Sequence, residues 1–398
     1  MKSPGTRVGI GRRVSLATTG VVLSIAALTS CSEQTAEGGG SQADTVPAAG
    51  PLATSLDTAQ GSWATVAMGH LGDPANTFWQ LFFDPVGSGS WSDQIRGTAV
   101  ATNGGVVMAA DADGALLAGV RPFGFLTFSP LVRTADGGRS WSDAVLSGGL
   151  ADQPASLATG PGGGVLGLVG GPSGARIVES GNGLGPWRTL ETVRALAANV
   201  AARRCRLEAA TAVSYLQASA VVGGRCRRSG VSPVFVRRSS GWELAGPQFP
   251  GLRGGRASVV SLRESGATLV ALLSVTRDTG TDLVAAWTTG AKQWTCSPPL
   301  RLTAAEKLAS VGPGTGAGLF ALLDDASGRR RLAEIAPGAG WRTLPSPPAG
   351  SATVAFTGSG IDALTVNKTT LTVWALDHAT SWTKAQTVHV DIQYGSSS

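Results

Sequence analysis

The chain has 398 residues, of which 15% are charged, 6% are aromatic and 56 are Gly, and its formal net charge is +6. A hydrophobic fraction of 42% with so few charges excludes wholesale disorder, and glycine without a G-X-Y period excludes collagen. Residues 1–30 hold Lys2, Arg7, Arg12 and Arg13 and no acid, so the remainder carries only +2 and gives no argument for a nucleic-acid partner.

Residues 1–13 are basic, and residues 14–28 form an apolar run of fifteen. As a helix that run spans about 22 Å, short of a ~30 Å hydrocarbon core, so residues 1–30 read as an export signal and not as a permanent span. The string Leu28-Thr29-Ser30-Cys31 resembles the bacterial lipobox. The resemblance implies a lipoprotein: diacylglycerylation of the Cys31 thiol, cleavage before it, and a palmitate-type anchor on the extracytoplasmic face of the cell membrane. Two or three acyl chains anchor stably, whereas one is marginal. An ordinary secretory signal containing a Cys is the alternative, and Arg12-Arg13 leaves Sec and twin-arginine export both open. Residues 31–60, rich in Gly, Ser, Ala, Thr and Pro without periodicity, read as the lipidated Cys and a tether reaching roughly 30 Å. Residues 61–398 then form one domain.

That domain has an internal period. Trp91, Trp141, Trp187, Trp242, Trp294, Trp341 and Trp382 are spaced by 50, 46, 55, 52, 47 and 41 residues, most of them after a Gly- or Ser-rich turn. Gly-led apolar strands begin at Gly105, Gly164, Gly266, Gly318 and Gly360 in phase with the Trp series. Units of this length with about four short strands predict an all-β, single β-propeller, with seven blades favoured over six or eight. In the clearest unit the predicted strands are 155–159, 165–170, 175–179 and 187–191. The Ala-rich segment 193–202 is the one helix candidate, and is expected instead to be an inner strand running into a loop. The alternating segment 388–394 is expected to pair beside the strand near Trp63–His70, closing the ring by strand exchange between the termini.

Thr134, Asp136, Gly138, Ser140 and Trp141 resemble the Asp-box (BNR repeat) of sialidases and other propellers, with weaker copies at 180–187 and 375–382. Turn chemistry explains the pattern: carboxylate and hydroxyl accept backbone N–H groups, Gly supplies positive φ, and Trp wedges between sheets. The sialidase machinery itself does not carry over. There is no R-I-P segment, the nearest string being Arg121-Pro122-Phe123, and Tyr215 and Tyr394 are the only tyrosines available as nucleophiles. Three histidines without HExxH or Cys–His spacing predict no metal site, no G-x-S-x-G is present, and no cofactor is expected.

Two features carry binding character. The segment 121–130 gains three Phe, either as an apolar contact patch or as blade filling. Cys205 and Cys226 lie in one blade between near-mirrored runs, Arg203, Arg204 and Arg206 on one side and Arg225, Arg227 and Arg228 on the other. In an oxidising compartment they are expected to form a disulfide, with Cys296 left as a buried free thiol. The bond gathers six arginines against the single acid Glu208, which makes them candidate contacts for an anionic partner or, alternatively, a solvated strand edge. Arg329-Arg330-Arg331, near Asp324 and Asp325, reads as a solvated hairpin tip. The sequence therefore points to a monomeric, membrane-anchored binding or assembly module that meets an envelope protein or anionic polymer. A glycan-processing hydrolase and a small-molecule sensor are the alternatives.

Overall fold

A computed structural model describes residues 54–69, 77–94, 106–111, 113–120, 129–146, 153–170, 174–290, 292–357, 360–378 and 380–391. Cys31, the phenylalanines of segment 121–130 and Tyr394 lie outside these residues. The described residues form seven successive antiparallel blades within residues 55–93, 106–146, 153–192, 207–244, 256–301, 307–344 and 351–389. Six blades have four strands, and the fifth has its outer strand broken into Thr295–Cys296 and Leu300–Arg301, both paired with Gly280–Thr288. In each blade the strands pair in chain order. The clearest predicted unit has strands Gln153–Thr159, Val165–Gly170, Arg176–Ser180 and Trp187–Thr192, within two residues of expectation. The chain is an all-β, seven-bladed propeller.

The core lies between blades. Seven buried apolar clusters occur among the described residues, one for each pair of neighbours, including one between the first blade and the last. The closing cluster sets Ala64, Val66, Met68, Phe82 and Trp91 against Ala355, Leu364, Leu371 and Val373. Alternate strand residues face the two neighbouring blades, so second strands such as Val165–Gly170, Thr268–Arg277 and Leu319–Asp324 are buried on both faces and read as near-continuous apolar runs, while the fourth strands are largely exposed.

The marker tryptophans sit within one residue of the start of each fourth strand, and several donate across the blade gap. Trp294 Nε1 donates to Ala245 O (2.7 Å), Trp341 Nε1 to Pro298 O (3.0 Å) and Trp382 Nε1 to Pro345 O (3.2 Å). Ala245 and Pro345 lie just past the fourth strand of the preceding blade, and Pro298 lies in the break of blade five's outer strand. A large ring fills the gap and its single N–H finds a carbonyl there, which accounts for the period.

Closure differs from the strand exchange expected. The first blade gets its inner strand from Ser55–Thr58, inside the segment read as tether, so the domain begins before residue 61. Ser381–His389 remains the outer strand of the last blade, with Val388 opposite Leu371. With both terminal blades complete, no strand needs to be borrowed. Side chains seal the seam instead. Gln386 accepts from Trp91 N–H (2.8 Å) and donates to Trp91 C=O (2.9 Å), and Trp91 Nε1 donates to Asp362 Oδ2 (2.8 Å). Ser55 and Ser62 hydroxyls donate to Val354 and Phe356 carbonyls (3.0 and 3.1 Å), and Thr54 meets Thr353. Burial pushes the Asp362 carboxyl upward, opposed by the Trp91 bond and reinforced by the Asp84 charge.

Segment 193–202 is also corrected: it is helical, as α1 (Val193–Ala198) and α2 (Val200–Cys205). Thr192 and Asn199 cap the two helices by accepting from Ala195 N–H (3.0 Å) and Ala201 N–H (2.9 Å). The inner strand of the fourth blade starts later, at Leu207.

Replacing Gln386 with Ala leaves both main-chain groups of Trp91 without these partners in a tight seam. We expect a loss of about 1–3 kcal/mol of unfolding free energy, measured by denaturant melts against an exposed control such as Gln217→Ala. An unchanged midpoint would show that the seam does not hold the ring.

Candidate functional site

The first strands of the blades run in the same direction around a central channel of about 1280 Å³. Cross-links between neighbouring inner strands hold its wall: Val213 N–H donates to Ser156 Oγ (3.1 Å) and Thr211 Oγ1 to Val259 O (2.7 Å). The two mouths differ. Every inner strand runs from the face where second strands end to the face of the first hairpin turns.

At the hairpin-turn mouth stand Asp57, Asp111, Arg133, Arg263 and Glu264. Arg133 reaches Asp111 (3.5 Å), and Glu264 accepts from Gln217 N–H (3.0 Å). Asp57 accepts from Ser62 Oγ (3.1 Å). Burial raises the Asp57 carboxyl, with the Ser62 bond and the Arg263 charge acting against the rise. Arg263 donates to Gly318 O while its Nε is buried without a partner, and burial lowers the guanidinium to about 10. This mouth therefore offers both signs of charge in a partly dehydrated wall, a setting that suits polar ligand groups.

The other mouth carries the arginines. Arg225 lines the channel there, and opposes Ser258 where the second strand of blade four pairs with the first of blade five. Cys205 and Cys226 are bonded, with Cα atoms 5.2 Å apart, and join the end of α2 to the end of strand Ser219–Cys226. Arg206 takes a left-handed conformation (φ 51°) at the α2 terminus. Main-chain bonds tie the two runs, from Arg227 N–H to Arg206 O (3.0 Å) and from Arg228 N–H to Cys205 O (3.1 Å). Arg203, Arg204, Arg206, Arg225, Arg227 and Arg228 are all exposed. Glu208 accepts from Arg225 Nε (3.2 Å) and Arg227 Nε (3.0 Å). Gly230 N–H donates to Gly255 O (2.9 Å), which brings exposed Arg253 and Arg256 beside the same rim. Sequence reasoning missed those two, because only the contact between blades joins them to the cluster. Arg329–Arg331 behaves differently: Arg330 pairs with Asp324 (2.9 Å) and Arg331 with Glu306 (2.7 Å).

The Thr134–Trp141 turn lies between the third and fourth strands of blade two, on the hairpin-turn face. Thr134 Oγ1 donates to Asp136 Oδ1 (2.9 Å) and accepts from Gly138 N–H (2.9 Å). Ser140 donates to Asp136 through N–H (2.9 Å) and Oγ (2.6 Å), and these bonds hold the Asp136 carboxyl down at about 2. Gly138 has φ +85°, and a Cβ there would run into the Gln94 side chain of blade one. Trp141 Nε1 donates to Gly138 O (3.1 Å), and its ring packs edge-on against Trp63 at 5.9 Å. With its oxygens spent on the turn, Asp136 is a structural anion. Trp187 and Trp242 pack between blades, while Trp187 Nε1 is buried without a hydrogen bond.

Tyr215 is buried, and desolvation followed by the Glu179 charge pushes its phenol well above the usual range, so it is no accessible nucleophile. Cys296 is a half-buried free thiol, raised by burial. No group of three His, Cys, Asp or Glu that could hold a metal ion occurs among the described residues.

The bond between Cys205 and Cys226 closes a loop of sequence separation 21. Replacing both with Ser should cost about 3 kcal/mol by loop-closure entropy. Melts of the oxidised parent, the reduced parent and the double variant check this, and coincident curves would mean that the bond carries no stability.

No protein-family model and no curated protein matches the chain. Solved structures do resemble it. YCF48 bound to a D1 peptide aligns at 16% identity and TM-score 0.44 over 70% of this chain and 80% of that one. A protein from Lactobacillus plantarum aligns at 11% identity and 0.47 over 83% and 97%. The Aleuria aurantia lectin, in complex with a fucosylated sugar, aligns at 12% identity and 0.41 over 73% and 97%. The seven-bladed architecture rests on the strand pairing described above.

Proposed function

We propose that the chain is an extracytoplasmic lipoprotein, anchored through Cys31, whose propeller works by binding and not by catalysis. The observation that carries the reading is the channel of about 1280 Å³, with mixed charge at one mouth and a disulfide-clamped arginine rim at the other. A rigid ring with chemically distinct mouths is suited to holding a partner in a fixed orientation. The hydrolase alternative loses support from the burial of Tyr215 and from the structural engagement of Asp136. On this reading Asp57, Asp111, Arg133, Arg263 and Glu264 form the mouth available to an envelope protein or ligand.

Two measurements test the proposal. Cys31→Ser should move the chain from the membrane fraction to the soluble extracytoplasmic fraction or leave it as precursor, and wild-type processing with membrane retention would contradict the anchor. The purified chain should be silent on a panel of fluorogenic glycosides, and turnover abolished by Asp57→Asn or Glu264→Gln would replace binding with hydrolysis.

A further inference from the structure

The arginine rim and the route of the chain into the propeller lie on one face. The first strand, Ser55–Thr58, runs toward the turn at Gly61, so residue 54 enters from the side on which the paired strand Gly61–Gly69 ends. Strand Ser219–Cys226, the second of its own blade, ends on that same side. Cys31 precedes residue 54 by 23 residues.

Segments 203–208, 225–230 and 253–256 place eight exposed arginines beside the single carboxylate Glu208. Arg203, Arg204, Arg206, Arg228, Arg253 and Arg256 have no carboxylate partner among the described residues. Self-repulsion disfavours such a group unless an anion covers it. The disulfide and the main-chain bonds hold it as a fixed surface, where a flexible loop could instead spread its charges apart. The same face receives the chain that leads from Cys31 to residue 54, so on the anchored reading headgroup phosphates are the anions that meet it first.

We propose that this arginine-rich face docks on an anionic phospholipid surface, the arginines meeting the headgroup phosphates. The inference rests on the membrane-anchored reading but not on the lipid itself. Docking would keep the charged face on the membrane and leave the hairpin-turn mouth facing away from it.

The test uses the Cys31→Ser chain, which lacks the acyl anchor, in sedimentation with phosphatidylcholine vesicles and with vesicles holding 30% phosphatidylglycerol. We expect binding to the anionic vesicles only, released by 0.5 M salt. Arg204, Arg206, Arg227 and Arg228 changed together to Ser should weaken binding by about two to three orders of magnitude, near fivefold for each arginine. The same four positions as Lys should retain most of it. Equal binding to both vesicle types, unaltered binding by the four-Ser chain, or binding to polyphosphate without any to vesicles would each overturn the docking surface. Because fractionation of Cys31→Ser cells tests the anchor separately, loss of docking with Cys31-dependent membrane retention would leave the anchored reading standing.

Discussion

A ring of seven blades depends on one constraint: its first and last members must meet as well as any other neighbours. Six interfaces form between blades consecutive in sequence, whereas the seventh joins residues some three hundred positions apart and bears the entropic cost of closing the chain. The structure meets this with the same apolar packing used elsewhere, Ala64, Val66 and Phe82 against Ala355, Leu364 and Leu371. Around Trp91 it adds a polar lock. Gln386 satisfies both main-chain groups of Trp91, and Asp362 takes the indole N–H. Between blades four and seven the equivalent indole donates to a main-chain carbonyl, so the seam uses a side-chain acceptor where the repeat uses backbone.

Closure gives the channel its rigid wall, and the wall gives the two mouths fixed chemistry. At one mouth Asp57 and Arg263 influence one another across a partly dehydrated space without forming a direct pair. At the other, the disulfide and three main-chain bonds set arginines from three chain segments on one rim. Elsewhere on that face Arg330 and Arg331 have carboxylate partners, as do Arg277 and Arg301, which share Asp282 at 2.9 and 3.1 Å. The excess is thus local to the region around the disulfide. On the proposed reading that locality separates a face turned to the membrane from a mouth left open to a partner.

What could be read from the sequence follows the range of each interaction. The Trp series was visible because each ring sits at the same place in its blade, beside a turn whose Gly and Ser are also local. The Thr134–Trp141 turn was visible for the same reason, since all its bonds fall within eight residues. The inner strand Ser55–Thr58 was hidden because SLDT is short and polar and follows tether-like composition. Helices α1 and α2 run against expectation although Thr192 and Asn199 stand at capping positions, because the Ala-rich run falls where the first strand of the next blade is due and that strand instead starts later, at Leu207. The partnership of Trp91 with Asp362 and Gln386, and the addition of Arg253 and Arg256 to the rim, are tertiary facts with no local signature.

In the proposed orientation the arginine face points toward the membrane and the hairpin turns point away from it. Exposed Ser229 follows Arg228 on the first face, and exposed Ser239 lies in the turn after Arg238 on the second. A fluorophore placed at Ser229→Cys or Ser239→Cys, in the lipid-anchored chain with Cys296→Ser, reads that orientation through quenching by brominated phospholipid in anionic vesicles. Strong quenching at 229 with little at 239 is the predicted result, and equal or reversed quenching would contradict the orientation.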